Sequence, residues 1–406
     1  MISNKKRILF IAEAVTLAHV GRCVALAKSL DPSRYDVWLA TDPRFNNLLG
    51  TLAFPVLQIR TIPSEQFLRA LAKGSPLYST DTLVDYVFQD LKLIDEIAPD
   101  IVIGDFRLSL NVSARLAEIP YICLTNAYWS PFAKTRFPVP EMLITKIFGV
   151  ALAQQMFNLF RPLAFAVHAR PLNAVRRRFS LPHLGFDLRR SYTSADCTLY
   201  ADISEVIPCG SLPVNHQYIG PVLWEPDIPL PDWWQRVPTD KPIVYVTMGS
   251  SGASELLPRI FQALAGLHVT VIAATAGRVR LSDLPRNVFV SDYLPGSIAA
   301  AKSQLVICNG GSPTAYQALD AGKPVLGIPI NLDQHLNMWG VEQAGAGRVL
   351  RAGQATMSRI REVAEDILAH AHYKEKAEKL KQSIGTYAIY ERFDSVLSAM
   401  LKHASK

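Results

Sequence analysis

Cys308-Asn-Gly-Gly-Ser-Pro-Thr-Ala-Tyr-Gln-Ala-Leu319 closes the apolar run Leu305 to Cys308 and opens into a helical pattern. A buried strand, a glycine turn and a helix follow one another within this stretch. Gly310 and Gly311 let the backbone approach a ligand closely. Ser312 and Thr314 place hydroxyls in the first turn of the helix. A helix start presents unpaired N–H groups and a partial positive charge, which suits a diphosphate. A glycine pair is also a plain way to turn from strand to helix, so the reading rests on its surroundings.

Working outward, the strand belongs to a series. Pro242-Ile-Val-Tyr-Val-Thr247, Val269 to Ala273, Val288 to Val290, Leu305 to Cys308 and Val325 to Ile328 are short, β-branched and separated by helical patterns. An equivalent series fills the first half: Arg7 to Ala12, Tyr35 to Ala40, Ile101 to Gly104 and Tyr121 to Leu124. Near-continuous apolar runs of this kind are strands buried on both faces of a parallel sheet. The fold class is therefore α/β, with two doubly wound parallel-sheet domains in tandem. Between the series, Gly220 to Pro231 carries four prolines that resist regular structure. The division expected is a first domain over 1–222, a linker over 223–240, a second domain over 241–385 and a C-terminal helix over 386–406 packing back toward the first. Such pairs hold ligands in a cleft near the carboxyl ends of their strands.

Composition narrows the classes. The chain has 406 residues, 49% apolar and 19% charged, which excludes disorder and a disulfide-stapled miniprotein. Its net charge of +7 is spread too thinly to require nucleic acid. Five widely spaced cysteines, with no C-x-x-C, fit a reduced cytoplasmic chain without a zinc site. The basic start, Met1 to Arg7, is followed by an apolar run that Glu13 ends too early for a signal peptide.

Further motifs surround the glycine turn. Upstream, the strand ending at Met248 runs into Gly249-Ser-Ser-Gly252, and Asp292-Tyr-Leu-Pro-Gly296 precedes the next helix. Downstream come Gly322-Lys-Pro-Val-Leu-Gly-Ile-Pro329 and Asp333-Gln334-His-Leu-Asn337. Without a gap from Leu294 to Asn337, these residues resemble the donor-binding half of the UDP-glycosyltransferase superfamily (glycosyltransferase family 1, GT-B fold), above all its bacterial small-molecule and macrolide-type members. The resemblance implies a GT-B fold and a nucleotide-diphosphate sugar, UDP- or dTDP-linked, as co-substrate. It implies that Ser250, Ser251, Ser312 and Thr314 hold the diphosphate with Gly310 and Gly311, that the backbone at Leu294 and the Tyr293 ring meet the base, and that Asp333 and Gln334 bind sugar hydroxyls. Three positions depart from the family pattern: Asn309 replaces a histidine, Pro313 a glycine, and Gln317 a glutamate. They bear on which donor is used.

In the first half, Thr16-Leu-Ala-His-Val-Gly-Arg-Cys-Val-Ala-Leu-Ala-Lys-Ser-Leu30 follows the first strand directly. This stretch resembles the family's G-H-x-x-P-x-x-x-L-A-x-x-L segment, with Ala18 for glycine and Arg22 near the usual proline. The resemblance makes His19 the general base toward the acceptor and Asp105, at the end of its own strand, the carboxylate that orients it. By the residues alone, the plainer reading of His19 is a helix-capping or satisfied core histidine, and that of Asp105 a cap on the following helix, a role that could coexist with orienting His19. The reaction implied is inverting transfer to a hydroxyl of an apolar small-molecule or lipid acceptor. No D-x-D motif lies in a suitable loop, so no metal and no resident cofactor are expected. A sugar-nucleotide epimerase or hydrolase of the same fold, or a donor-degenerate partner subunit without activity, stay open as alternatives, as do the acceptor and the oligomeric state.

Residues 141–180 differ in character. Met142 to Val167 is strongly apolar, and Arg176, Arg177 and Arg178 follow. The plainer reading is a core helix with a solvated basic end. The sharper one is a greasy acceptor wall or a peripheral contact with an anionic membrane.

Overall fold

A computed structural model describes residues 5–404 apart from 280 and 282, so the basic opening at residues 1–4 lies outside the described residues. The first half runs β1 (Lys6–Ala12), α1 (Leu17–Ser29), β2 (Tyr35–Thr41), β3 (Val56–Gln58), α2 (Ser64–Lys73), α3 (Thr80–Ile97) and β4 (Ile101–Asp105). It continues with α4 (Leu110–Leu116), β5 (Tyr121–Thr125), α5 (Leu143–Arg178), α6 (Leu188–Thr193), β6 (Cys197–Tyr200) and β7 (His216–Tyr218). The second half runs β8 (Ile243–Thr247), α7 (Leu257–Ala265), β9 (Thr270–Ala274), β10 (Val288–Ser291), α8 (Gly296–Lys302), β11 (Leu305–Cys308) and α9 (Ser312–Asp320). It closes with β12 (Val325–Gly327), α10 (Leu332–Gln343), β13 (Gly347–Val349), α11 (Met357–Ala369), α12 (Ala371–Gly385) and α13 (Ile389–Ala404).

Two parallel sheets result, in the orders β3-β2-β1-β4-β5-β6-β7 and β10-β9-β8-β11-β12-β13. In each, the order reverses beside the first strand of its half, and that switch point is where doubly wound sheets bind ligands. Both faces of the central strands are covered. Ile8 and Phe10 pack with α1 and with Phe393 and Leu397 of α13, whereas Leu9 and Ile11 pack with Leu93, Ile94 and Ile97 of α3. Val244 and Val246 face α7 and α11, while Tyr245 and Val306 face the opposite side with Ala315 and Leu319 of α9. Alternation therefore vanishes from the sequence, because neither face meets water. The contacts of Phe393 and Leu397 seat the last helix on the first sheet, where Arg34 also pairs with Asp394 at 2.9 Å.

Register sets the two edges that matter. Ala12 of β1 stands opposite Asp105 of β4, so the loop leaving β1 and the end of β4 emerge together. In the second sheet Cys308 pairs with Thr247 on one side and Gly327 on the other. The loops after β8, β11 and β12 thus leave from one edge.

Helix α5 corrects the plainer expectation for residues 141–180. Between Met142 and Val167 only Thr145, Ala153 and Phe165 are buried, while Leu143, Ile147, Leu152, Leu159 and Leu163 are exposed. Gly149 interrupts the helix at φ 72°, ψ 165°. The segment lies across the outside of the first domain, with one side against the protein. A one-dimensional apolar pattern cannot tell a helix enclosed by protein from one laid on its surface.

Candidate active site

Helix α1 begins at Leu17, three residues before the first periodic apolar position Val20, so His19 sits in its first turn. From there its Nδ1 lies 2.8 Å from Oδ1 of Asp105. Asp105 is fully buried at the end of β4, and Phe106 immediately after it stacks on the His19 ring at a centroid distance of 4.8 Å. The helix after β4 starts at Leu110 with Ser109 before it, so Asp105 caps no helix.

Arg22, one helical turn beyond His19, is the partner that sequence reasoning missed. It grips the same carboxylate with Nε at 2.7 Å from Oδ2 and Nη2 at 2.8 Å from Oδ1. Burial alone would raise the Asp105 carboxyl. The Arg22 guanidinium and then His19 outweigh that and hold it below the usual carboxylate range. A carboxylate only accepts, so this bond favours the neutral tautomer with its proton on Nδ1 and its lone pair on Nε2. The spacing of His19 and Arg22 (three residues on one helix) was the available signal, because such residues share a face.

From Arg22 the network crosses to the second domain. Its Nη1 donates to Asn126 Oδ1 at 2.7 Å, and Asn126 Nδ2 donates to Ser312 Oγ at 3.0 Å. Asn126 Nδ2 also lies 3.1 Å from Asp202, whose carboxyl burial pushes up to about 6 although the Ala127 and Asn126 N–H groups work against it. Asn126 and Asp202 follow the ends of β5 and β6, the same sheet edge as Asp105. Polar residues just past strand ends were the clue to both.

In the second domain the glycine turn has the expected form. Gly311 precedes the first turn of α9, with Ser312, Pro313 and Thr314 as its first three residues. Pro313 thus falls where an N–H has no intrahelical partner to lose. Gly310 holds φ at +81°, and a Cβ there would stand 2.5 Å from Met338 Cγ, so no other residue fits. Asn309 turns inward: Oδ1 accepts from the Gly311 N–H at 3.0 Å, and Nδ2 reaches Ser251 Oγ at 3.4 Å. A Cβ on Gly252 would meet Asn309 Cβ at 2.6 Å, so the Ser250–Ser251 loop presses directly on the turn.

Asn331 caps α10 by accepting from the Gln334 N–H at 3.0 Å, which fixes where Asp333 and Gln334 point. Asp333 Oδ1 accepts from the Trp129 indole at 2.8 Å, a second bond across the cleft. Gln334 is buried; its Oε1 accepts from the Ile330 N–H at 3.0 Å and its Nε2 is 3.4 Å from Ser251. Gln317 Nε2 lies 3.4 Å from the Trp224 carbonyl, and Glu225 accepts from the Ser297 N–H at 2.7 Å. The stretch expected as a plain linker thereby forms part of the wall.

One cleft of about 610 Å³ is lined by Ser250, Ser251, Tyr293, Leu294, Asn309, Gly311, Ser312, Thr314, Gln317, Asp333 and Gln334 on one side and His19, Arg22, Asp105, Asn126 and Trp129 on the other, while Gly310 and Asp202 stand behind its wall. Its far arm is apolar, with Phe67, Leu71, Met142, Met156, Phe157 and Phe160 from α2, α5 and the residue before α5. A polar half beside the α9 start and a greasy half beside His19 suit two substrates of different character.

Residues 258–387 match the family model described as "Erythromycin biosynthesis protein CIII-like, C-terminal domain". A "PGL/p-HBAD biosynthesis glycosyltransferase" of Mycobacterium tuberculosis is 53% identical over 384 residues, covering 95% of this chain and 90% of its own. The chain belongs to the family of that glycosyltransferase. A "PGL/p-HBAD biosynthesis rhamnosyltransferase" of Mycobacterium bovis BCG is 54% identical over 385 residues, 95% of this chain and 86% of the relative. Among solved structures, "Spinosyn Rhamnosyltransferase SpnG complexed with thymidine diphosphate" superposes with a TM-score of 0.66 at 19% identity, covering 96% of this chain and all of the other. That likeness shows the GT-B fold. The enzyme is a glycosyltransferase, and the epimerase alternative falls away.

Proposed function

We propose that this glycosyltransferase moves a deoxyhexose, rhamnose first among them, from a thymidine diphosphate to a hydroxyl of an apolar phenolic or lipid acceptor, with inversion. The observation that carries the reading is the pairing across one cleft of His19, oriented by Asp105, with the glycine turn that opens α9. Relatives above 50% identity are named for rhamnosyl transfer and PGL/p-HBAD biosynthesis, and a structure of the same fold carries thymidine diphosphate in its name.

In this reading the acceptor lies along the apolar arm, with its hydroxyl at His19 Nε2. The oxygen attacks the anomeric carbon as its proton passes to Nε2. The bond from that carbon to the diphosphate breaks on the opposite face, and the electron pair leaves with the phosphate. Asp105 stabilises the imidazolium that forms. The Ser312 and Thr314 N–H groups, the α9 dipole and the Ser251 and Ser312 hydroxyls take up the charge on the leaving diphosphate. Asp333 receives hydroxyls of the sugar.

Thermal unfolding with nucleotides tests the donor half. A ligand present at ~100 times its Kd stabilises by about 2.7 kcal/mol. dTDP is expected to raise the melting temperature by several degrees, UDP by less, and NAD not at all. An equal response to every nucleotide, or none to dTDP, would remove the diphosphate site from the α9 start.

A further inference from the structure

The outward side of α5 is a surface the transfer reaction does not use. Leu159 is 74% exposed and Leu143 is 70% exposed, and Ile147, Leu152 and Leu163 are also open to solvent. Leu152, Leu159 and Leu163 recur at helical spacing, so they form one stripe along the helix. Soluble proteins rarely leave so continuous an apolar strip uncovered.

Charge says what covers it. From residue 142 to residue 186 the chain has no Asp or Glu, but it has Lys146, Arg161, Arg170, Arg176, Arg177 and Arg178. Of these, Lys146, Arg170, Arg177 and Arg178 are exposed. An apolar stripe edged by cations and free of carboxylates matches the interface of an anionic bilayer. The helix is long and apolar enough to span a membrane. Yet the break at Gly149, with Pro162 and Pro171 inside the helix, suits a segment that lies along a surface. The same helix supplies Met156, Phe157 and Phe160 to the cleft wall.

We propose that the outer face of α5 docks on an anionic lipid bilayer, so that a lipid acceptor enters the apolar arm of the cleft without crossing water. The docking face stands apart from the transfer chemistry, and the two are tested separately. The full chain is sedimented with vesicles of phosphatidylcholine alone and of an equimolar mixture with phosphatidylglycerol. Binding is expected to the mixed vesicles, with little to phosphatidylcholine. The variant Leu159→Ser/Leu163→Ser is expected to bind at least about tenfold more weakly, through lost apolar burial. Its turnover of a water-soluble acceptor should match the wild type, which also shows that it folds. Lys146→Glu/Arg170→Glu, a variant with its core untouched, should bind more weakly in low salt. Absent binding by the wild type, or full binding by both variants, overturns the proposal. So does a stable dimer in light scattering that Leu159→Ser/Leu163→Ser dissolves, because a second copy then covers the face.

Discussion

His19→Ala is expected to lower kcat by about 10²–10⁴-fold, the range of a positioned general base, and to leave stabilisation by dTDP intact. The geometry separates the two effects. The imidazole is held by Asp105 at 2.8 Å and by Phe106 stacked at 4.8 Å, both in the first domain, while the glycine turn and α9 belong to the second. Nothing in the diphosphate cradle leans on the His19 ring. Losing the stacked pair costs roughly 0.5–1.5 kcal/mol of stability, so the variant remains folded at assay temperature. Measured kcat and the dTDP-induced melting shift together decide the matter. An unimpaired kcat removes His19 as the base, and a vanished shift means that the ring contributes to donor binding instead.

Asp105→Ala is expected to damage stability and turnover together. The carboxylate is fully buried and neutralises Arg22, itself buried, through two bonds of 2.7 and 2.8 Å. Removing one partner of a buried pair strands the other charge, at about 3–5 kcal/mol. For a domain of this size that corresponds to roughly 2–4 °C of melting temperature per kcal/mol. Replacing both partners, as Arg22→Met/Asp105→Leu, should recover most of that stability, since apolar isosteres of a buried pair are often neutral. It should not recover turnover, because His19 still lacks its orienting carboxylate. Recovered turnover in the double variant would show that Asp105 serves only to balance Arg22. The same carboxylate gives a pH signature. Its pKa is lower folded than unfolded, so its stabilisation is complete above about pH 4 and is lost as pH falls through the lowered value.

The parts of this fold that the chain displays openly are those where burial is complete. Ile8 to Ala12 and Ile243 to Val246 read as strands because both of their faces are covered. Three-residue edge strands such as β3, β7 and β13 are too short to show any pattern. The positions of His19 and Asp105 were legible because each stands just past or at the end of a strand in one sheet. Arg22, Asn126 and Asp202 left only weak signals, a shared helix face and polar residues just past strand ends, and Trp129 left none, since tertiary packing is what brings residues 76 to 204 positions apart onto one carboxylate or across one cleft. Asn309, standing where the family pattern has a histidine, lines the cleft and also braces the glycine turn, a second task that its place in the motif does not display. Helix α5 was the main misreading, because the same apolar letters serve a core and an exposed surface.

The most direct check on the transfer step is the anomeric configuration of the product. The one-bond carbon–hydrogen coupling at the anomeric carbon would be compared between the dTDP-sugar supplied and the glycoside formed. A single displacement assisted by His19 predicts opposite configurations in donor and product. The same configuration in both would contradict it.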